Sequence, residues 1–405
     1  MERLPAEVWQ QILLKAMETD EEPPIFATSC TPYTFLHFVK QQTQIHERQK
    51  AHLDYLEQRR RLQLVCRAWN EFVLFTSHRW LQLDSESPMY QLDSTILGAG
   101  GVGPVERLST TINSKELVIP ILSWASHILK RPANQSPLRA YTLRLLETPG
   151  RGYNPLDDLV GRTISERSTN KNKNKNKNTT LRCLSITTSI GSNTFIALPQ
   201  ISCIFTGLRA LFLVNVHATP RQTMSLPVLE VLYALPAYET LQQAMLDAWD
   251  TPALLHAHLG HFTTRAQFVD VLDGFLGRYA GQLESLALIE LSSSPVSFMQ
   301  LPPTFWEQFP ALRLLVLMAP TLEREDWSGW SVVPPPTHPL RYLVCWCLAS
   351  AGYSVGRVRP WWTWHDGVRL VAGHTTTATF HVVKNVRDDR WFAKMEENYG
   401  VLPEL

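Results

Sequence analysis

Short apolar blocks on the template Leu-x-x-Leu-x-apolar recur along most of the chain. The clearest copies begin at Leu181, Leu208, Leu283 and Leu312, and weaker copies begin at Leu138, Leu229, Leu254, Leu340 and Val368. Neighbouring starts lie 21 residues (208 to 229) to 29 residues (283 to 312) apart, except for the 43-residue interval between 138 and 181. Self-similarity at such an interval predicts one short strand per copy, with each copy burying its apolar positions against the next.

The segments between the copies are expected to return the chain along the outer side of these strands. The clearest return is a stripe with helical spacing directly before Leu283. Its members are Phe268, Val271, Leu272, Phe275, Leu276 and Tyr279. A second helix is predicted from Leu117 to Leu129, and a short strand at 79–83.

The template and its interval resemble those of leucine-rich repeats. That family carries Asn or Cys three residues after the third apolar position. In the copies at 181, 208, 283, 312 and 340 this position holds Ser189, Val216, Leu291, Pro320 and Leu348. The resemblance therefore implies an irregular solenoid, and the alternative is a globular α/β domain with several similar strands.

The N-terminal stretch from Leu4 to Leu14 has the pattern of an amphipathic helix. Pro5 suits the first helical turn, where no N–H donor is needed, and Glu7 complements the helix dipole. At about 100° per residue, the apolar side chains sweep an arc of roughly 180°. They are Pro5, Val8, Trp9, Ile12, Leu13, Ala16 and Met17. So wide an arc predicts two neighbours, one from the chain itself and one from a partner.

A second stretch, Leu62 to Trp69, repeats the pattern, and Leu62, Val65, Trp69 and Phe72 predict one face of a helix. Arg59, Arg60, Arg61 and Arg67 are left for solvent. The two stretches, LPAEVWQQIL and LQLVCRAWNEFV, together resemble the F-box. In that family this helical module docks the Skp linker subunit of cullin-based ubiquitin ligases. The insertion at 20–58 departs from a compact F-box and resembles the expanded F-boxes of fungal proteins.

These resemblances imply a fold class and an organisation. The fold class is α/β, with an N-terminal all-α F-box module followed by an irregular leucine-rich-repeat solenoid. The module is expected at 1–84, a linker with the first helix of the solenoid at 85–137, and the solenoid at 138–405. The polar, lysine-rich run Asn170–Asn178 predicts a disordered loop at 168–180.

The F-box resemblance implies a substrate-recognition adaptor that docks the Skp linker and presents an unknown protein substrate on the solenoid. The docking residues it implies are Leu4, Pro5, Val8, Trp9, Ile12, Leu13, Leu64, Val65, Cys66, Ala68 and Trp69. The positions between the strand leucines, such as Arg209, Ala210, Glu284, Ala287 and Arg313, are expected to face outward toward the substrate. The alternative function is a plain repeat scaffold whose N-terminal helices only cap the solenoid.

The composition of the chain argues against several kinds of partner and location. A net charge of +1 gives no reason to expect nucleic acid or a membrane surface as a partner. No run of eighteen apolar residues occurs, so the chain is expected to be cytoplasmic or nuclear and not secreted. Six scattered cysteines indicate buried free thiols in a reducing compartment, with Cys345 and Cys347 on one face of a strand.

Candidate chemistry is sparse. On a strand, His256 and His258 would share a face and could bind a metal together with His261. No further ligand lies close to these three histidines in the sequence, so neither a metal nor a cofactor is expected. The sequence has no Walker loop, dinucleotide fingerprint or Gly-x-Ser-x-Gly motif, and the glycines at 98–103 are assigned to a linker. The absence of these catalytic motifs predicts that the protein is not an enzyme. Seven tryptophans follow residue 320, and they either form a recognition surface or seal the end of the solenoid.

Overall fold

A computed structural model describes most of the chain between residues 105 and 347 and short segments outside it. The described residues are 8–9, 12–13, 57–58, 60–69, 80–84, 105–129, 138–147, 153–160, 180–189, 195–218, 223–235, 249–290, 301–319, 337–340, 342–347 and 379–383. Two compact units are present. Unit 1 comprises Met1–Glu230 and Ala237–Thr251, and unit 2 comprises Val231–Pro236 and Pro252–Leu405.

Unit 1 contains a run of parallel strands that follow one another in chain order. These are β1 (Trp80–Asp84), β2 (Arg107–Ile112), β3 (Ala140–Leu145), β4 (Cys183–Thr188) and β6 (Ala210–Val214). Two short parallel pairs flank the run: β5 (Phe195–Ile196) with β7 (His217–Ala218), and β8 (Met224–Ser225) with β10 (Trp249–Asp250). The helices are α1 (Val118–Leu129), preceded by a 3-10 turn at Lys115–Leu117, α2 (Pro155–Val160) and α3 (Leu198–Ile204).

Unit 2 repeats this arrangement. Its parallel strands, again in chain order, are β9 (Val231–Leu235), β11 (His256–Phe262), β12 (Ser285–Glu290), β13 (Leu314–Ala319), β14 (Tyr342–Cys347) and β15 (Thr379–Val383). Helix α4 (Arg265–Val269) continues as a π-helical segment, Asp270–Phe275, and a 3-10 turn, Leu276–Arg278. A single turn, α5 (Phe305–Gln308), precedes β13. The mixed α/β class with a parallel sheet is thus confirmed.

The leucine template locates most strands correctly. Every copy within the described residues forms a strand that begins two residues after its first position, as Leu181 precedes Cys183 and Leu312 precedes Leu314. Pairing starts one residue before the strand, since the carbonyl of Arg182 accepts the N–H groups of both Arg209 and Ala210 at 2.8 and 2.9 Å. The predicted strand at 79–83 and helix at 117–129 are also confirmed, within one residue. The strands β2 and β15 follow no copy of the template.

The leucines of the template form the core of each unit. In unit 2 the fully buried layer includes Leu286, Leu288, Leu315 and Leu317, and the predicted helical stripe before Leu283 is buried as well. Thr264 caps the helix that carries this stripe by accepting the N–H of Gln267. Phe262 on β11 meets Phe268 on α4 edge to face, with ring centroids 5.6 Å apart. Helix and strands therefore share one continuous apolar layer.

One asparagine makes a contact that the repeat template does not place. Asn215 adopts a left-handed backbone with φ of 55°. Its Nδ2 donates to the carbonyl oxygen of Thr188 at 3.2 Å, and the Thr188 hydroxyl donates to the carbonyl oxygen of Asn215. An amide side chain thus links the ends of β4 and β6, one residue before the position at which the template expects Asn.

Several sequence expectations lie outside the described residues. They concern the lysine-rich loop 168–180 up to residue 179, the glycines at 98–103, most of the insertion 20–58, the copy at Val368, and the tryptophans after residue 320 other than Trp346, which lies in β14. Cys345 and Cys347 lie on β14 as expected. Within the described part of the chain, no helix has the length and apolar character needed to cross a membrane.

The leucine layer yields a first prediction. Leu286→Ala and Leu315→Ala should each lower the free energy of unfolding by about 2 to 5 kcal/mol, because both side chains are fully buried and truncation leaves a cavity. The exposed Arg313 should tolerate Ala within about 0.5 kcal/mol. Denaturant unfolding of the three variants checks this order. The opposite order would mean that the strand register is wrong.

A second prediction concerns Gly260, where β11 changes register between Leu259 and Phe262. A Cβ atom at Gly260 would lie 2.6 Å from Leu235 Cδ2 and 2.7 Å from Ile289 Cβ, on the strands at either side. Gly260→Ala should therefore cost about 1 to 3 kcal/mol of unfolding free energy through overpacking. Gly281→Ala is the matched control, since nothing lies within 4 Å of its added Cβ. Equal stability of the two variants in denaturant would contradict the packing described for β11.

Candidate partner-docking site

The two N-terminal motif stretches meet through a pair of tryptophans. The ring centroids of Trp9 and Trp69 lie 5.8 Å apart with an angle of 52° between the ring planes. Residues 8, 9, 12 and 13 are helical, as are residues 67–69. A tilted aromatic pair at this distance is favourable beyond the area it buries. The contact therefore fixes the first stretch against the second.

The first stretch divides its apolar side chains between the interior and the surface. Leu13 is 3% exposed, whereas Val8, Trp9 and Ile12 are 37%, 40% and 43% exposed. At about 100° per residue, these three lie within one side of a helix. Leu13 serves internal packing, and the rest of the described arc faces solvent.

The second stretch is not the single helix that its apolar spacing predicts. Residues 60–63 and 67–69 are helical, and residues 64–66 form a turn between them. The N–H of Leu64 is shared between the carbonyls of Arg60 and Arg61, and the N–H of Val65 donates to the carbonyl of Leu62, each at 3.2 Å. A change in the separation of donor and acceptor from four residues to three is typical of a helix end.

The turn places two apolar side chains in solvent. Leu64 is 78% exposed and Val65 57% exposed, so Val65 does not share the internal face of Trp69. Arg60, Arg61 and Arg67 are exposed as predicted, with Arg61 paired to Glu57 at 3.1 Å. An exposed pair of this kind adds little stability.

Val8, Trp9, Ile12, Leu64 and Val65 are together called the docking patch. Nine large apolar residues are exposed in the described part of the chain, and the docking patch supplies five of them from two short stretches. Apolar surface concentrated in this way is typical of an interaction site, whereas single exposed apolar residues are ordinary. The arrangement can bury an apolar face of another protein.

The other predicted docking residues have mixed positions. Leu4 and Pro5 lie outside the described residues. Cys66 is exposed at the end of the turn and Ala68 is exposed in the helical residues after it, and Trp69 is half-buried against Trp9. The expectation of buried thiols is wrong for Cys66 and Cys203, which are exposed, and it is confirmed for Cys183, which is buried. All three are free thiols.

The positions predicted to face a substrate are also corrected. Ala210 and Ala287 are fully buried, at 1% and 0% exposed, so neither faces solvent. Arg313 is exposed as expected, and Glu284 is half-buried. Arg209 is half-buried and bidentate with Glu230, with Nη2 2.6 Å from each carboxylate oxygen. It is thus already neutralised within the chain.

The strand face opposite the leucine layer differs between the units. In unit 1 this face is mixed, because half-buried polar residues alternate with the buried residues Ala140, Cys183, Ser185, Ala210 and Phe212. The half-buried positions on it are Arg107, Ser109, Thr111, Thr142, Arg144 and Thr187. In unit 2 the matching positions are closed. The buried set is Val231, Tyr233, His256, His258, Ser285, Ala287, Leu314 and Val316.

The histidines of β11 are part of this closed face. His256 and His258 share a side of the strand, as predicted, and both are fully buried. The Nδ1 atom of His256 lies 2.9 Å from the Ser285 hydroxyl, and the ring of His258 meets Tyr233 edge to face with centroids 4.3 Å apart. Among the described residues, no three His, Cys, Asp or Glu side chains converge as metal ligands would. These contacts join three adjacent strands, which is a structural role.

Shifted pKa values have local structural causes. Burial raises the pKa of Tyr141 in β3, and it raises the pKa of Tyr153, whose hydroxyl also donates to Asp158 at 2.6 Å. Burial lowers the pKa of His338, whose Nε2 lies 3.0 Å from the carbonyl oxygen of Phe309 and whose Nδ1 accepts the N–H of Leu340. Tyr153 thus joins α2 to the loop before it, and His338 joins the loop before β14 to the segment that follows α5.

No protein-family model matches the chain, and no curated protein matches it either. The F-box and leucine-rich-repeat resemblances therefore rest on the residues quoted for them.

The tryptophan pair yields a third prediction. Trp9→Leu and Trp69→Leu should each destabilise the N-terminal stretches, and the double variant should lose less than the sum, because the ring contact can be lost only once. The coupling expected for an aromatic pair is about 0.5 to 1.5 kcal/mol, measured by a double-mutant cycle in denaturant. Additive losses would show that the two stretches fold independently of this contact.

Proposed function

We propose that this chain is a substrate-recognition adaptor of a Skp–cullin–F-box ubiquitin ligase. The observation that carries the proposal is the docking patch, in which two stretches that resemble the F-box present exposed apolar side chains. The Trp9–Trp69 contact at 5.8 Å holds these stretches together. The Skp linker subunit is the partner proposed for the patch.

The energetics of the docking patch suit a specific complex. Burial of apolar side chains contributes roughly 0.8 kcal/mol for each CH₂ group removed from water. Burial of five partly exposed apolar residues would then contribute several kcal/mol of binding free energy. This contribution is opposed by the loss of translational and rotational freedom on association. Preorganisation by the tryptophan pair reduces the cost of ordering the surface. Micromolar or tighter binding to one apolar partner face is expected.

We infer that the strand-forming part is an irregular leucine-rich-repeat solenoid. Within each unit the strands are parallel and follow chain order, and each predicted strand begins two residues after the first position of its template copy. The leucines point to one side, where helices such as α4 return the chain. This regularity supports repeated units that stack on one another.

The proposed adaptor carries no chemical step of its own. It holds a substrate close to the ubiquitin-charged enzyme and so raises its effective concentration there. The buried His256–Ser285 contact supports this assignment, because a serine that is closed to solvent cannot meet a substrate. Exposed Cys66 and Cys203 have no acid–base partner among the hydrogen bonds of the described residues.

A fourth prediction tests the docking patch. Val8→Ala combined with Ile12→Ala should raise the Kd for the purified Skp linker subunit at least tenfold, since the change removes several CH₂ groups from the interface and tenfold corresponds to about 1.4 kcal/mol. The melting temperature should shift by no more than about 2 °C, because both side chains are already exposed. Isothermal titration calorimetry and thermal unfolding of the intact chain supply the two measurements.

The matched control is Val228→Ala combined with Ile119→Ala. These residues have similar exposure, 41% and 56%, and lie outside the docking patch. The control should bind the linker like the wild-type chain. If the folded wild-type chain fails to bind the linker at micromolar concentration, the adaptor function is refuted and the repeat-scaffold function replaces it.

A further inference from the structure

The segment that leads into β14 is connected to the preceding template copy through one histidine side chain. His338 lies in the segment 337–340, two residues before Leu340, which is the first position of a copy. The Nε2 atom of its ring lies 3.0 Å from the carbonyl oxygen of Phe309, directly after α5. The same carbonyl accepts the N–H of Leu312, the first position of the preceding copy, at 3.1 Å. One imidazole ring therefore connects the starts of two successive copies.

The two hydrogen bonds of this ring determine its protonation state. A carbonyl oxygen can only accept, so the Nε2 atom that faces Phe309 must carry a proton and donate it. A main-chain N–H can only donate, so the Nδ1 atom must be unprotonated to accept the N–H of Leu340 at 3.2 Å. Both bonds form together only when the ring is neutral, with its proton on Nε2. Protonation of Nδ1 would place two N–H groups against each other and remove the second bond.

The surroundings of the ring also disfavour a charge. His338 is half-buried, and its ring meets the ring of Trp306 edge to face with centroids 4.9 Å apart. The residues that it contacts, Trp306, Phe309 and Leu340, are 5%, 0% and 3% exposed. Burial lowers the pKa of His338 below its ordinary value of 6.5, although the hydrogen bond to the Phe309 carbonyl opposes this shift.

Charged neighbours do not supply another partner for the ring. On the described segments that contact it, the charged side chains are those of Glu307 in α5 and Arg313 before β13, and both are exposed. None of the ion pairs among the described residues involves His338. Arg341, which is close in sequence, lies outside the described residues. The state of the ring therefore depends on its two hydrogen bonds and on its burial.

Two other side chains make similar connections at the starts of copies. The Nε2 atom of Gln282 donates to the carbonyls of Pro252 and Leu254 at 2.7 and 3.0 Å, and Nη1 of Arg182 donates to the carbonyl of Gly207 at 3.0 Å. An amide does not titrate, and a guanidinium keeps its charge at any pH at which proteins are folded. Of the three connections, only the one made by histidine can change its charge near neutral pH.

We propose that His338 is a pH-sensitive switch that holds the start of β14 in place at neutral pH and releases it in acid. While the ring is neutral, it keeps the segment 337–340 against α5. When Nδ1 binds a proton, the bond to Leu340 is lost and the segment separates from Trp306 and Phe309. This switch does not depend on the proposed adaptor function.

The direction of the pH dependence follows from the lowered pKa of His338. The released segment binds a proton at the ordinary pKa of 6.5, whereas the closed segment binds one only at lower pH. Protons therefore favour the released state. The closed state is at its most stable above pH 6.5 and loses stability progressively as the pH falls below that value.

The test is hydrogen exchange of the intact chain, measured by mass spectrometry and corrected for the intrinsic pH dependence of exchange. Between about pH 7.5 and about pH 5.0, the protection of residues 337–347 should fall roughly threefold or more, because the released state gains a proton. The segment 181–188 is the internal control, since its connection is made by Arg182, which stays charged. Its protection should change by less than about twofold over the same range, and it reports that each variant is folded.

His338→Asn is the matched variant that does not titrate. The Oδ1 atom of Asn can accept the N–H of the residue two positions on, as in an Asx-turn, so protection of 337–347 should persist and no longer depend on pH. His338→Phe removes both hydrogen bonds, so protection of this segment should be low at both pH values. The switch is refuted if acid leaves the wild-type segment unchanged, or if the wild-type chain and the Asn variant respond to acid equally.

Nuclear magnetic resonance of the chain labelled with ¹⁵N-histidine supplies a second measurement. The ring signal that is missing from the His338→Asn variant belongs to His338. At about pH 7.5 it should show a protonated Nε2 and an unprotonated Nδ1. A proton on Nδ1 at that pH would overturn the proposal, because the bond from Leu340 could not form.

Discussion

Each strand of this chain depends on its neighbours for both hydrogen bonding and burial. In a parallel arrangement, the carbonyl before one strand accepts two N–H groups from the next, as Glu284 does for Arg313 and Leu314 at 2.8 and 3.1 Å. The leucines on one side are shielded only when the adjacent strands are present. No strand could bury its apolar side alone, so the repeat spacing of the sequence and the ladder of hydrogen bonds express the same constraint.

The same constraint explains why the strand face opposite the leucine layer is partly exposed to water in β2 but buried in β13. A face that carries alternating polar residues, such as Arg107, Ser109 and Thr111 in β2, can remain in contact with water. In β13 the alternate positions are Leu314 and Val316, so both sides of the strand exclude water. Buried strands of that kind read as continuous apolar runs.

Much of the fold was predictable because leucine at fixed spacing leaves few alternatives. The strands at 183, 210, 285 and 314 followed directly from the template. The strand β2 was not predictable in this way, since RLSTTI is rich in hydroxyls and lacks the leading Leu-x-x-Leu. The closed face of unit 2 was predictable in principle, because LLVLMA and VLYAL are apolar at every alternate position. The outward assignment of Ala287 failed because it treated the repeat template as if one face were always open.

The docking patch was predictable to a different degree. Amphipathic spacing predicted helices in both stretches, but spacing alone cannot reveal a helix end such as the turn at 64–66, where apolar residues continue at three- and four-residue steps. That turn converts Val65 from an internal residue to a surface residue. Contact between Trp9 and Trp69 likewise depends on long-range packing that no local pattern encodes.

The exposed apolar residues of the docking patch do not stabilise the isolated chain. Val8, Ile12 and Leu64 gain nothing for the chain by lying in water. Polar residues could replace them at the surface without loss of the leucine core, whose own apolar residues are almost fully buried. Under the proposed adaptor function, these side chains are apolar because the linker subunit covers them in the complex.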